Sequence, residues 1–511
     1  MRTLYRAGRV YSHANPRATA MLVTDSRIGW IGEDGDAPAA DRVVDLDGSL
    51  VTPAFVDAHV HSTNTGLMLG GLDLGGMRSA VDVLDAVAVQ AKSLPEGAVV
   101  LGFGWDESTW TDQRLPGAAE LDRASGGRLV LLSQKSMHSA LCSSAMLAAG
   151  GAEAAAAPGY DPAGWLRRAA HHVVRGIALG SISAAQRREA QTETLRAAAA
   201  LGIASIHECG GPITSSEEDF TGLLALSGAD NGLAEVYGYW GELMGADKAK
   251  ELGAVGAGGD LFADGALGAR TAHLREPYLD SAEAGASGHG YVTAEQVEEH
   301  IVDCTRHGLQ GGFHAIGDQA LTTVIAGYRA AAARVGLERL RAARHRIEHV
   351  ELVDKAIIAG LVELGLVASM QPAFDRLWGG DNQMYVQRLG LSRTMESNPM
   401  GAMHGVGVAL AFGSDAPVTP LDPWGSVRAA MWHHNPAYRM SAKAAFAAHT
   451  RGGWRAVHRD DDGVLVPGAS ATFAVWAPGD LTNGLPTLDI GDALPQCRRT
   501  VLRGTTIHEE A

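Results

Sequence analysis

Residues 51–62, VTPAFVDAHVHS, decide how this chain is read. An apolar run of strand length ends in His59-x-His61, and residues two apart in a strand project to the same face, so both imidazoles can approach one cation. The pair alone is weak evidence, because 20 histidines in 511 residues produce about one His-x-His by chance. The rest of the chain supplies its context.

Seven further apolar runs follow: GIASIHECG (202–210), LAEVYGYW (233–240), DLFADG (260–265), GGFHAIGD (311–318), RIEHV (346–350), GLVASMQP (365–372) and ALAFGSD (409–415). Ala-rich helical stretches separate them, the order expected of crossover helices on a parallel sheet. The expectation is an α/β protein with a (β/α)8 TIM-like barrel, residues 51–66 supplying its first strand and 200–454 the remainder. Residues 1–50 read as short β segments around Asp-Gly turns. Residues 455–511 repeat that texture with too few residues for a core of their own, so both chain ends are expected to share one small β-sandwich. The interval 67–199 then becomes a large insertion after the first barrel strand, over the barrel mouth.

Composition removes several function classes. With 42 Lys plus Arg against 58 Asp plus Glu, the formal charge of −16 opposes attraction to nucleic acid or anionic lipid. No apolar run reaches the roughly 18 residues of a membrane span, and the opening MRTLYRAGRVYSHANPR lacks the apolar core of a signal peptide, so a cytoplasmic protein is expected. Cys142, Cys209, Cys304 and Cys497 form no CxxC pair, which argues against a disulfide framework and a thiolate zinc site. A metal here would rest on histidines and carboxylates.

Such groups stand at the ends of the strand-like runs, where barrel enzymes build their sites. His314 ends GGFHAIGD, His349 ends RIEHV and Asp415 ends ALAFGSD, so these residues converge on His59 and His61 as a candidate metal set. Taken singly, each histidine reads first as a satisfied structural residue and the aspartate as a helix cap.

The chain resembles the amidohydrolase superfamily and, within it, amidohydrolase family 3, which includes N-substituted formamide deformylase-like enzymes. The resemblance is carried by TPAFVDAHVHS, GFGWDESTW, LFADGALGARTA with a following EPYLD, HAIGD, RIEHVELV, SMQPAFD, GSDAPVTPLDP and GVLVPGASATFAVW, in order along almost the whole sequence. It implies a mononuclear or binuclear metal site and hydrolysis of a C–N bond in a small amide-like molecule. A divalent ion lowers the pKa of bound water towards neutrality. Asp415 is then the expected general base and acid, and His349 would polarise the scissile carbonyl or hold the nucleophile. Deamination of a cyclic amidine, ester hydrolysis, or a barrel that binds without turnover are the alternatives.

One departure bears on the metal count. Where the family carries a lysine that, once carboxylated, bridges two metals, this chain has Asp260. A carboxylate on one methylene is several ångströms shorter, and metal–oxygen bonds span only about 2.0–2.2 Å. From the lysine's backbone position Asp260 could not reach, so the expectation is one ion, Zn with Fe, Mn, Co or Ni as alternatives. His59, His61, His314 and Asp415 would hold it, with His349 beside the water and Asp264 as a competing ligand.

For the substrate, the expected wall residues are His138, Trp105, Asp106, Asp264, Arg270 and Gln371. Their alternatives are core packing for Trp105 and ion pairs for Asp106 and Arg270. Glu208 could orient a ligand from behind. The pairs at His171 and His433 are expected to be solvated helix positions or interface groups, and the run Asp460–Asp462 a solvated turn. A homodimer is the default assembly.

Overall fold

The computed structural model describes every residue except 108–109, 111–113, 135–138, 282–284 and 511. Eight parallel strands form one sheet: β1 Phe55–Val60, β2 Ile203–Gly210, β3 Glu235–Trp240, β4 Gly256–Ala257, β5 Gln310–Ala315, β6 Arg346–His349, β7 Val367–Met370 and β8 Ala409–Phe412. They are hydrogen-bonded in sequence order from β1 to β8. The two edges meet where Val60 bridges Ala416, with Asp415 N donating to His59 O at 2.8 Å, so the sheet is a nearly closed TIM-like barrel.

Every residue of β1, β2, β5, β6 and β7 is buried, as strands covered by crossover helices must be. Phe55, Phe313, Ile347 and Phe412 belong to the main core. Helix starts follow local chemistry. Thr293 and Gln296 form a reciprocal capping box for Ala294–His307, and Asp354 caps Lys355–Leu364, which Gly365 closes in left-handed backbone.

The fourth strand differs from its sequence reading. The run 260–265 is not the strand; β4 is Gly256–Ala257, and Phe262 makes only an isolated bridge to His314. Between them lie Gly258 and Gly259. A Cβ at Gly258 would sit 2.6 Å from Gly312 N, and Gly259 has φ +74° with Cys209 3.1 Å from its own Cβ position. Only glycine permits this close passage of the backbone between β2 and β5. It delivers Asp260 beyond the strand end.

The chain divides into two compact units, 1–61 with 195–511, and 62–194. Within the first, Leu50–Pro53 pairs antiparallel with Phe473–Trp476, so residues from both ends share a five-stranded sheet. A four-stranded sheet from residues 2–45 adds Tyr5, Met21, Val23 and Ile28 to a core shared with Val51, Phe473 and Val501. The second unit carries its own five-stranded mixed sheet and its own apolar clusters. Among the described residues, no helix is long and apolar enough to cross a membrane.

Candidate metal centre

The ends of β1, β4 and β8 bring four side chains face to face. His59 Nε2 lies 3.4 Å from Asp260 Oδ1 and 3.5 Å from Asp415 Oδ1. His61 Nε2 lies 3.2 Å from Asp260 Oδ2 and 3.3 Å from Asp415 Oδ1. Asp415 and His349 both hold left-handed backbone, φ 58° and 71°, an uncommon state for residues other than glycine that clusters at functional sites.

This geometry corrects the reach argument for Asp260. The comparison of side-chain lengths assumed the lysine's backbone position, whereas the glycine pair carries the Asp260 backbone beyond the end of β4. Its carboxylate contacts both histidines of the HxH pair.

The donor set fits a divalent cation. His59 Nε2 and Asp260 Oδ1 are buried and make no hydrogen bond, a costly arrangement unless something binds them, whereas His314 Nδ1 faces Asp264 Oδ1 at 3.6 Å. Ligand atoms of His59, His61 and Asp415 cluster within 4.8 Å, as do those of His59, Asp260 and His349. Burial is the largest influence on His59 and His61 and disfavours their charge, yet the nearby anionic groups, Asp260 and Asp415 among them, outweigh it and raise both well above the usual imidazole range. For Asp260, burial is again the largest influence, and the two imidazoles overcome it to hold the carboxylate well below its usual range. The cluster of carboxylates thus calls for positive charge, which a metal ion supplies with nitrogen and oxygen ligands.

The other face of His59 is already filled. Its Nδ1 donates to Glu348 Oε2 at 3.0 Å, and Glu348 is held by Arg346 through Nε at 2.5 Å and Nη2 at 2.8 Å. Arg346 also reaches Ala58 O, Ser369 Oγ and His207 Nδ1, and its guanidinium lies 4.4 Å from the Tyr239 ring centroid. Cys209 joins His59 and Glu348 in a third close group, but with the Arg346 guanidinium beside it a cation is disfavoured there.

His349 donates from Nδ1 to Gln371 Oε1 at 2.8 Å, which leaves the Nε2 lone pair for a ligand. Burial, then the neighbouring His314 and His59, lower it to about 4, so it is neutral at pH 7. The His314 ring stands 4.5 Å from that of His349. His314 belongs to none of the three ligand-atom groups found among the described residues.

The expected substrate residues fare differently. Gln371 is buried and orients His349. Asp264 accepts from His273 N and Gly317 N at 2.8 Å and Ile316 N at 3.0 Å, so its carboxylate holds loops together, with Oδ1 3.6 Å from His314 Nδ1. Arg270 is bidentate to Asp280 at 2.9 and 2.7 Å, which accounts for its charge as an ion pair. Trp105 is fully buried in the core of the second unit, donating to Leu132 O at 2.7 Å. Asp106 follows Trp105 at the strand end in that unit, half-buried, and His138 lies outside the described residues. Glu208 is buried in β2. His171 and His433 are not solvated: both are buried, and His433 faces Asp375 at 3.3 Å. Within the acidic run, Asp462 is buried and accepts from Arg459.

Sequence reasoning missed Arg346 and Glu348. The signal was present in RIEHV, where two charged residues two apart occupy one face of a run otherwise fit for a core.

A cavity of about 300 Å³ adjoins the cluster, lined by His61, Asp260, His314, His349 and Asp415 together with apolar and aromatic side chains. That volume is at the lower end of small-molecule sites.

A model of the amidohydrolase family matches residues 42–508. Protein LONG AFTER FAR-RED 3 of Arabidopsis thaliana is 29% identical over 90% of this chain and 84% of its own length. The N-substituted formamide deformylase of Arthrobacter pascens is 23% identical over 80% of this chain and 79% of its own. Among solved structures, an uncharacterized metal-dependent hydrolase from Pyrococcus furiosus superposes with a TM-score of 0.79 at 25% identity, covering 93% of this chain and 98% of that one.

Proposed function

The chain belongs to the amidohydrolase family, and from that premise we propose that it is a metal-dependent hydrolase cleaving a non-peptide C–N bond, of amide or formamide type, in a small molecule. The observation that carries the reading is the meeting of His59, His61, Asp260 and Asp415 at 3.2–3.5 Å, with His59 Nε2 and Asp260 Oδ1 buried and unsatisfied. We take one divalent ion as the resident cofactor, held by His59, His61 and Asp415, with Asp260 and His349 completing the set and His314 on the adjoining wall. Zn suits these donors, as do Fe, Mn, Co and Ni. When bound, it supplies Lewis acidity and makes water acidic enough to attack at neutral pH.

The chain's own residues do the rest. Asp415 lines the cavity and is the proposed general base, taking the proton of the attacking water and returning it to the leaving nitrogen. Gln371 keeps the Nδ1 proton on His349, so the neutral ring offers its Nε2 lone pair to a ligand. Glu348 does the same for His59. The binding-without-turnover alternative rests on the missing lysine, and Asp260, 3.2 Å from His61, offers a carboxylate beside the histidine pair. Four free, buried cysteines suit the reducing cytoplasm proposed as its compartment.

Elemental analysis of the purified chain, followed by a panel of amides and formamides, tests the reading. One equivalent of metal is expected, with turnover that Asp415→Asn abolishes while metal stays bound. Full metal loading with no hydrolysis of any amide, formamide or ester would overturn it. Two tightly bound ions per chain would overturn the single-ion assignment alone.

A further inference from the structure

The cavity beside the metal cluster contains a carboxyl group that the chemistry above does not use. Glu351 lines it and is 2% exposed. Tyr385, also in the lining, donates its hydroxyl to Glu351 Oε2 at 2.5 Å. Among the described residues, no lysine, arginine or histidine forms an ion pair with Glu351, and burial raises its carboxyl to about 7, with Tyr385, His314 and Asn398 working against the rise. A carboxyl group placed this deep ordinarily has a cation or several hydrogen-bond donors to offset its desolvation.

The rest of the lining narrows what could supply that partner. It includes no lysine and no arginine. Phe374 packs on Trp378 with ring centroids 4.7 Å apart, and Trp378 on Tyr385 at 6.2 Å, so an aromatic wall runs from the His349 side of the cavity to the residue that touches Glu351. Leu267, Ile316 and Met384 add apolar surface. An aromatic wall ending in a carboxyl group attracts a positive or strongly N–H-donating nitrogen twice, through the ring faces and through the acceptor oxygens.

We propose that Glu351 and Tyr385 form a recognition subsite for a cationic or N–H-rich nitrogen carried on a small apolar arm, so that the chain selects amine- or amidine-bearing substrates. This rests on the hydrolase reading for the word substrate. The subsite itself is a binding property and can be measured without turnover.

The test is calorimetric titration of the purified full-length chain with two probes of similar size, benzamidinium and acetophenone. Benzamidinium is expected to bind at least tenfold more tightly, and Glu351→Gln to remove that preference while leaving acetophenone unchanged. Equal affinity for the two probes in the wild-type chain would overturn the proposal without recourse to any variant, as would a preference that survives Glu351→Gln. If the amide panel shows no hydrolysis but the preference is present, the hydrolase reading falls and the subsite stands. If hydrolysis is seen and the preference is absent, the subsite falls and the hydrolase reading stands.

Discussion

Glu348 Oε2 accepts the Nδ1 proton of His59 at 3.0 Å, and both side chains are wholly buried. The carboxylate is ionised because Arg346 grips it from within β6, and its own pKa is held far below the usual range despite its burial. One charged pair at the barrel core therefore sets which nitrogen of His59 faces the metal cluster.

Glu348→Gln should keep the fold and loosen the orientation of His59. Metal affinity is expected to fall about 10- to 100-fold, the usual cost of removing a ligand's outer partner, as read by chelator competition. Glu348→Ala, in contrast, leaves Arg346 buried without its counter-charge and should cost about 3–5 kcal/mol in denaturant unfolding. Unchanged metal affinity in Glu348→Gln would show that the contact is structural only.

Asp260→Ala is expected to leave the purified chain with well under one equivalent of metal, because it removes the carboxylate that touches both His59 and His61. Retention of the wild-type metal content would place Asp260 outside the ligand set.

Asp264→Ala strips the acceptor from three backbone amides, those of His273, Ile316 and Gly317. Each buried donor left unsatisfied costs about 1–3 kcal/mol, so Tm should fall by several degrees while metal content holds. Loss of metal with an unchanged Tm would mean that Asp264 is a ligand after all.

Stability should also decline towards acid. Burial, reinforced by His300, lowers His345 to about 3, and its ring accepts from Gly311 N at 2.8 Å and pairs with Thr305 at 2.9 Å. His449, which bonds Val56 O, is lowered by burial to about 4. In the unfolded chain such rings protonate near pH 6.5, so the folded state binds fewer protons between that value and its own lower one. The stability they confer is complete above pH 6.5 and is lost progressively as pH falls below it. Tm should be lower at pH 5 than at pH 7, and His345→Asn, which preserves an acceptor for Gly311, should flatten that slope. An identical slope in the variant would assign the acid sensitivity elsewhere.

The barrel was legible because its information is local. A strand and its crossover helix write their periodicities into contiguous residues, and a histidine or aspartate closing an apolar run marks the end of the barrel where sites form. His59, His61, His349 and Asp415 were readable on that basis, and the structure brings their ligand atoms into two overlapping clusters.

What residue order alone determined, then, is the alternation of strands and helices and the side of the barrel to which each candidate side chain belongs. Tertiary structure decided the depth and path of the chain between them. Gly258 and Gly259 let the backbone pass close between β2 and β5, which carries Asp260 to the cluster. The register of β6 puts Arg346 and Glu348 inside the barrel, against Tyr239, Ser369 and Ala58 from three other strands. Asp264 is consumed by amides that reach it from 9 to 53 residues away. Such partnerships depend on where distant backbone lies, and strand periodicity fixes only which face a side chain takes.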